Sequence, residues 1–370
     1  MLYIRFIRAV VIMIATILGL GILGLPLVFA RAGYGIGLVE LILVGVSMTC
    51  LYLMYAEMTL DVRGKNRYAG YMRQLLGARA GVIAGVLFMI SMFGGMLPFL
   101  IVTGPFLQGL FGVNVLTGSI IMWLLASTMM FGGMRFVVRA EFGIILSLTV
   151  VYLLLMIFSF PHVDWINVRW SSDPQATLLP IGVILFALGG IGAIPEMHDL
   201  LGRERKKIRK AIIVAMSFLI VLYALFALFV VGALGPIVSQ NPLPILAQLL
   251  PKSIGILGLL VGTVSAFSIY TVIGSELIET FRVDFGWKKF SAWLVVITLP
   301  LIAYLAGARE LTAVMGFFGS TFGAAVGLFI VVAYGKTKAP RLVPLWVRYP
   351  VGAVFLLGAL VEISYTLGVL

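Results

Sequence analysis

Long apolar stretches, separated by short polar segments, fill most of this chain. A helix needs about 20 apolar residues to cross the hydrocarbon core of a bilayer. Eleven stretches approach or exceed that length, so the pattern predicts an all-α, polytopic membrane protein with eleven transmembrane spans. The predicted bounds are 7–32, 34–60, 80–110, 116–133, 137–160, 177–202, 211–235, 253–280, 289–306, 311–335 and 349–369.

Glycine and proline interrupt the first and the sixth span. Gly19, Gly21, Gly24 and Pro26 lie in the first, and FALGGIGAIPE (186–196) lies in the sixth. In a helix interior Gly costs about 1 kcal/mol and Pro about 3 kcal/mol. Backbone groups freed in hydrocarbon survive only where they face protein or water. We therefore expect both spans to be broken, a pair typical of an inverted-repeat transporter with its binding site at the breaks.

The charge of the loops alternates along the chain. One side of the membrane collects 22 of the 26 Lys and Arg residues, which predicts a cytoplasmic N-terminus and an external C-terminus. Spans 1–5 and 6–10 then have opposite orientations. We therefore expect a single transmembrane domain over 1–370 that contains two inverted repeats, at 7–160 and 177–335. An extra span at 349–369 follows them. Spans 9–11 carry no comparable glycine and proline cluster and are expected to be scaffold.

Composition excludes several classes of protein. The chain is 62% hydrophobic and only 11% charged, which no soluble domain needs. The net charge of +12 lies in short loops between spans, so the lipid bilayer and not nucleic acid is the expected partner. One Cys and two His are too few for a metal cluster. The G-x-G-x-x-G of 19–24 follows no strand, and no nucleophile–base pair is visible. An enzyme or a cofactor site is therefore not expected.

Each break creates new helix ends with unpaired backbone groups. Free N–H groups and a positive dipole end suit a carboxylate, whereas free carbonyls suit an ammonium group or Na⁺. A zwitterionic amino acid matches both ends, and glycine lets a ligand approach bare backbone. The alternative is that these glycines only let helices pack closely.

Two motifs resemble a known family. GLGILGLP (19–26), followed by Ala30-Arg31-Ala32-Gly33, and FALGGIGAIPE (186–196) resemble the first-helix and sixth-helix signatures of the amino acid/auxin permease family, within the amino acid–polyamine–organocation superfamily. Its prokaryotic aromatic amino acid permeases share the eleven-span layout. The resemblance implies a LeuT-type fold, cation-coupled amino acid symport and a location in a cell membrane, here expected to be prokaryotic. It also implies that backbone contacts the substrate around Leu18, Gly19, Gly21, Ile22, Phe186, Gly189 and Gly190.

The coupling ion, H⁺ or Na⁺, has separate candidate residues. Ser268 and Thr271 lie three apart in span 8, where LeuT-type sodium symporters hold Na⁺ with hydroxyls and span-1 carbonyls. Alternatively, these hydroxyls bond to the carbonyl one turn earlier. Glu196 and Glu40 are ionisable residues within spans, which are functional hypotheses by default. Glu196 either binds a proton or caps the second half of its broken span.

An inner gate is also predicted. LeuT-type proteins pair an N-terminal basic residue with an acid near the inner end of span 8, which points to Arg5 or Arg8 with Glu279. The alternative is a simple interfacial ion pair.

Side-chain selectivity is expected from uncharged residues at mid-depth, namely Met92, Met96, Phe186, Ile191, Phe267, Tyr270, Phe317 and Phe318. A charged substrate side chain would be costly to bury without a partner, which favours a neutral, apolar or aromatic amino acid.

The leading hypothesis is a symporter that imports such an amino acid by alternating access, with H⁺ favoured over Na⁺. Two alternatives stay open. One is an amino-acid-sensing subunit similar to spore-germination nutrient receptors, and the other is an amino acid exchanger. The sequence leaves the oligomeric state open.

Overall fold

A computed structural model describes residues 2–62, 67–132, 135–202, 204–337 and 343–366, and within these ranges the chain is helical apart from turns and short connections. The sixteen α-helices are α1 (Leu2–Ile17), α2 (Leu25–Ala32), α3 (Tyr34–Asp61), α4 (Tyr68–Leu76), α5 (Ala78–Phe111), α6 (Val115–Gly132), α7 (Arg135–Ser159), α8 (Leu179–Ala187), α9 (Ala193–Leu201), α10 (Arg205–Leu234), α11 (Leu243–Leu249), α12 (Lys252–Phe285), α13 (Lys289–Leu305), α14 (Leu311–Phe317), α15 (Ala324–Tyr334) and α16 (Arg348–Thr366).

Both predicted breaks are present. The first span divides into α1 and α2, with a bend of 47° between its two parts. Leu18 and Gly19 lie outside any helix, and a 3-10 helix over Leu20–Gly24 leads into α2. The sixth span divides into α8 and α9, and residues 188–192 between them are not helical. The local cost of Gly and Pro therefore predicted the break positions correctly.

The protein is a multi-pass membrane protein. Within the described ranges, eight helices are long and apolar enough to cross a bilayer, or nine if α1 and α2 count as one bent span. The broken pair α8–α9 and the 17-residue α13 would bring the number to eleven. The count of eleven and the division into two repeats stay predictions.

The tenth predicted span differs from the expectation of plain scaffold. It consists of α14, a π-helical segment over Phe318–Gly323 (FGSTFG) and α15. π-helical turns are rare and occur mostly at functional sites. This segment lines the cavity described below, so the assignment of the tenth span to scaffold alone was wrong.

The two broken spans occupy the middle of the helical assembly. α1 packs on α9 and α10, and α2 packs on α8 and α10. Around them, α3, α5, α7 and α12 form further walls, whereas residues such as Leu124, Val221 and Leu360 present exposed apolar side chains to the outside. That arrangement is expected where the surrounding solvent is lipid.

We name the two membrane faces by their contents. The basic face is the one where α1 begins and α3 ends, and the loop face is the opposite one, where the long connection 160–178 lies. This connection is held to the turn between α2 and α3 by backbone hydrogen bonds from Ile36 N–H to the Trp170 carbonyl (3.0 Å) and from Asp173 N–H to the Arg31 carbonyl (3.0 Å). Gly33, in this turn, has a φ of +102°, which favours glycine.

Candidate functional site

The two breaks lie directly against each other. A methyl group added to Gly21 would lie 3.0 Å from the Ala187 Cα, and one added to Gly190 would lie 2.3 Å from the Ile17 Cγ1. These two glycines therefore allow the breaks to cross at short distance, so the packing role considered for them is real. Gly192 differs, because no atom lies within 4 Å of an added methyl group there.

Three buried tyrosines satisfy carbonyl groups that the breaks set free. The Tyr223 hydroxyl lies 3.2 Å from the Ile17 carbonyl and 3.0 Å from the Ala187 carbonyl, so it bridges the two breaks. Tyr152 donates to the Gly19 carbonyl (3.2 Å), and Tyr52 donates to the Leu188 carbonyl (2.5 Å). An unpaired carbonyl is costly in a membrane interior. The tyrosines thus make the broken backbone stable at this depth.

A central cavity of about 240 Å³ opens beside the breaks. Apolar and aromatic side chains form most of its wall, with exposed backbone at the glycines of both breaks. Thr16, Ser91 and Glu276 are the polar side chains among its lining residues, and Glu276 is the charged one. The lining residues include Ile17, Gly19, Gly21, Met48, Leu51, Phe88, Met92, Gly95, Phe99, Leu185, Phe186, Ala187, Gly189, Gly190, Ile191, Gly192, Ile269, Ile273, Phe318, Gly319 and Gly323.

A second cavity of about 200 Å³ adjoins the central one towards the basic face. We call it the vestibule. It shares Phe88, Ile191, Gly192 and Glu276 with the central cavity, and it adds Glu196, Arg67 and Thr280, among others. Arg67 donates to the Thr280 hydroxyl (3.2 Å) and approaches the Glu276 carbonyl (3.4 Å). The central cavity therefore continues towards the basic face through a polar passage.

The structure brings five of the seven predicted substrate residues to the central cavity, namely Gly19, Gly21, Phe186, Gly189 and Gly190. Leu18 and Ile22 lie in the same break but are fully buried against protein. The glycines between them are partly accessible. Over residues 18–22, Gly19 and Gly21 therefore face the cavity, whereas Leu18 and Ile22 are packed in the protein core.

Four of the eight predicted selectivity residues line the cavity, Phe186 and Phe318 among them. Met92 and Ile191 are the other two, whereas Met96 and Tyr270 are fully buried elsewhere. The sulfur-bearing end of Met96 instead lies near Gly274, with its Cε 3.1 Å from a methyl group added there. The helical period accounts for the difference, since the cavity face of α5 centres near Phe88 and Gly95, and Met96 points about 80° from that centre whereas Met92 points about 40° from it.

The predicted ion-coupling residues are dispersed. Glu196 lines the vestibule, and Glu40 lies in α3 outside both cavities. The Thr271 hydroxyl donates to the Phe267 carbonyl of its own helix (2.7 Å), which is the alternative considered for it. The Ser268 hydroxyl is buried and has no hydrogen-bond partner among the described residues.

The predicted inner gate is not formed in this conformation. Glu279 pairs with Arg282 one turn further along α12, at 2.8 Å, and both side chains are exposed. No ion pair of Arg5 or Arg8 occurs within the described residues. A partner one turn away on the same helix lies within easy reach of the Glu279 carboxylate.

Several residues of the site were not predicted from sequence. Glu276 had a signal in the sequence, because it lies seven residues after Ile269 and three after Ile273 and so shares their face of α12, which lines the cavity. The three tyrosines gave no such signal, since their acceptors are carbonyls of distant segments. The Phe318–Gly323 segment was recognisable only as a glycine-containing stretch.

Comparisons with known proteins agree with this architecture. The chain matches the family described as "Transmembrane amino acid transporter protein" over residues 3–334. A solved structure of MhsT in complex with L-phenylalanine is similar with a TM-score of 0.70 and 16% identity, covering 98% of this chain and 97% of that chain. A manganese transporter from Eremococcus coleocola is similar with a TM-score of 0.70 and 14% identity, covering 97% of this chain and 85% of that chain. No curated protein sequence matches the chain. These neighbours share the LeuT-type fold, which confirms the fold predicted from the two broken spans.

Proposed function

Because the chain belongs to the transmembrane amino acid transporter family, we propose that it imports a neutral, apolar or aromatic amino acid by symport with H⁺. Family and fold are those of membrane transporters and not of enzymes. The proposal adds a substrate class, a direction and a coupling ion to that family assignment.

The chemistry of the central cavity carries the proposal for the substrate. Its polar groups are concentrated at the breaks, where backbone can bind the α-amino and α-carboxylate groups that every amino acid has. The N–H groups of Ile191 and Gly192 precede α9, line the cavity and have no backbone acceptor among the described residues. They are suitably placed for a carboxylate.

The remaining wall is apolar and supports a side chain without charge. Phe88, Phe99, Phe186 and Phe318 all line the cavity. An anionic substrate side chain would lose its hydration there without gaining a partner, and a cationic one would find Glu276 only where the cavity meets the vestibule. The bound L-phenylalanine of the similar MhsT structure is consistent with an aromatic substrate for this chain.

The hydrogen bonds of the first break favour H⁺ over Na⁺. The carbonyls of Ile17 and Gly19 already accept phenolic hydroxyls from Tyr223 and Tyr152. In a span-1 sodium site such carbonyls would be ligands of the cation. The Thr271 hydroxyl is likewise engaged with its own helix. Buried carboxylates are therefore better candidates for ion coupling than a cage of hydroxyls and carbonyls.

Uptake by purified protein in proteoliposomes tests the proposal. A pH gradient and a Na⁺ gradient are imposed separately, and accumulation of labelled phenylalanine, leucine and lysine is measured. Phenylalanine or leucine accumulation with the pH gradient alone, without lysine accumulation, is the expected result. Accumulation that requires Na⁺ would refute proton coupling. Binding without accumulation under either gradient would favour the receptor or exchanger hypothesis.

A further inference from the structure

The last helix, α16, carries a carboxylate that faces the interior of the protein. The Glu362 Oε2 lies 2.9 Å from a methyl group placed on Gly316 and 3.1 Å from one placed on Gly182. Side chains at these two positions would fill the space that the carboxylate occupies. Within the described residues, the Glu362 carboxylate has no hydrogen-bond donor and no ion pair. An unpaired carboxylate within a membrane span is costly when charged and marks a functional candidate.

A second carboxylate with the same property lies on the neighbouring helix α3. Glu40 is only 7% exposed, and its Oε2 is buried without a hydrogen-bond partner. α16 packs against α3, α8, α15 and the π-helical segment. The segments α8, α15 and Phe318–Gly323 contain no Asp, Glu, Lys, Arg or His. The segments that pack against α16 therefore offer no cation that would compensate the Glu362 carboxylate.

Tyr365 ties this part of α16 to the loop-face connection. It lies three residues after Glu362, on the same side of the helix. Its hydroxyl donates to the Gln175 carbonyl, and Asp173 in turn accepts from the Gln175 N–H (3.0 Å). A chain of polar groups therefore leads from Asp173 at the loop face through Tyr365 towards the half-buried Glu362, and Glu40 lies on the helix that packs against α16.

Glu362 lies behind the wall of the central cavity. Gly182, beside Glu362, belongs to the same half-helix α8 as Leu185 and Phe186, which line the cavity. Gly319 of the π-helical segment also lines the cavity, and a methyl group on it would lie 2.4 Å from the Gly182 carbonyl. A change of charge at Glu362 therefore acts on the two elements that form one side of the substrate site.

We propose that Glu362 on α16 and Glu40 on the adjoining helix α3 form a proton-binding site, and that its occupancy is coupled to substrate binding through α8 and the π-helical segment. This inference rests on the proposed H⁺ symport and names the residues that carry the proton. It assigns a function to the extra helix α16, which the sequence suggested to be scaffold.

The test compares Glu362→Gln, Glu40→Gln and the matched control Glu310→Gln, an exposed acid that precedes α14. Three quantities are measured in proteoliposomes, namely accumulation driven by a pH gradient, exchange of internal for external phenylalanine without a gradient, and the pH dependence of KM. Glu362→Gln and Glu40→Gln are expected to reduce driven accumulation about tenfold or more, within the usual range of coupling between two sites. Exchange should persist, and KM should lose its pH dependence. Glu310→Gln should behave as the unmodified protein.

The outcomes separate the two levels of the proposal. If the unmodified protein shows no accumulation driven by the pH gradient, the proposed H⁺ symport fails. If it does, but Glu362→Gln keeps full accumulation and an unchanged pH profile of KM, the proposed site is wrong and the symport stands. Glu276→Gln is measured in parallel, because loss of pH dependence in that variant alone would place the proton in the vestibule. Phenylalanine binding by detergent-purified Glu362→Asp, which keeps the acid, verifies that this position tolerates substitution without unfolding.

Discussion

Gly190→Ala tests whether the close contact between the two breaks sets the affinity of the site. The added methyl group would lie 2.3 Å from the Ile17 Cγ1. Carbon atoms in contact are normally about 3.5–4.0 Å apart. Ile17 lines the central cavity, so its side chain either turns into the space expected to hold the substrate or keeps its position. If it keeps its position, the breaks separate by about 1.2 Å at this point, given that contact distance.

Overpacking of this kind costs about 1–3 kcal/mol. If a ligand must be held by both breaks at their original distance, this free-energy cost corresponds to about a 5-fold to 150-fold rise in its Kd. Scintillation-proximity binding of labelled phenylalanine to purified protein measures this quantity directly. Thermal unfolding of the same samples shows how much of the cost falls on stability.

Gly143→Ala is the matched control, because Gly143 lies on an exposed surface of α7 and no atom lies within 4 Å of an added methyl group. It should leave Kd unchanged. If Gly190→Ala and Gly143→Ala bind phenylalanine with the same Kd, the reasoning is refuted. The affinity for substrate would then not depend on the distance between the breaks.

Three further substitutions have expected outcomes. Tyr223→Phe leaves the carbonyls of Ile17 and Ala187 without their shared donor and should lower the stability of the folded protein by about 1–3 kcal/mol. A lower Tm and weaker phenylalanine binding are the expected readouts. An unchanged Tm would show that water replaces the hydroxyl. Gly95→Leu places a side chain in the central cavity, where no atom lies within 4 Å of an added methyl group. Phenylalanine binding should be lost, while size-exclusion chromatography should show that the protein remains folded. Retained binding would place the substrate elsewhere. Glu279→Gln should leave transport rates within about twofold, because an exposed ion pair contributes only about 0–1 kcal/mol, and a large loss of transport would restore the predicted gate.

The sequence predicted the parts of this site that depend on local energetics. Gly19 and Gly189 lie at real breaks, because glycine and proline destabilise a helix whatever other segments pack against it. The wall was predicted less well. Met92 and Met96 are equally suitable by composition, and only the rotation of α5 in the assembly decides that Met92 faces the cavity.

Long-range contacts account for what the sequence did not reveal. Tyr223 acquires its function from the Ile17 carbonyl, 206 residues away along the chain. The apolar pattern of α16 is that of any membrane span, so the inward orientation of Glu362 became visible only when Gly182 and Gly316 were placed beside it. Similarly, the pairing of Glu279 depended on which basic residue lay closest in space.

The central claim is that an amino acid binds between the two breaks, and thiol protection tests it most directly. Cys50 is the single cysteine of the chain, so Cys50→Ala provides a background for Gly95→Cys in the cavity and for Ser172→Cys in the exposed loop-face connection. The rate of labelling by N-ethylmaleimide is measured with and without phenylalanine. We expect phenylalanine to slow labelling at Gly95→Cys and to leave Ser172→Cys unchanged. Equal labelling of Gly95→Cys with and without every amino acid that the protein transports would contradict the account.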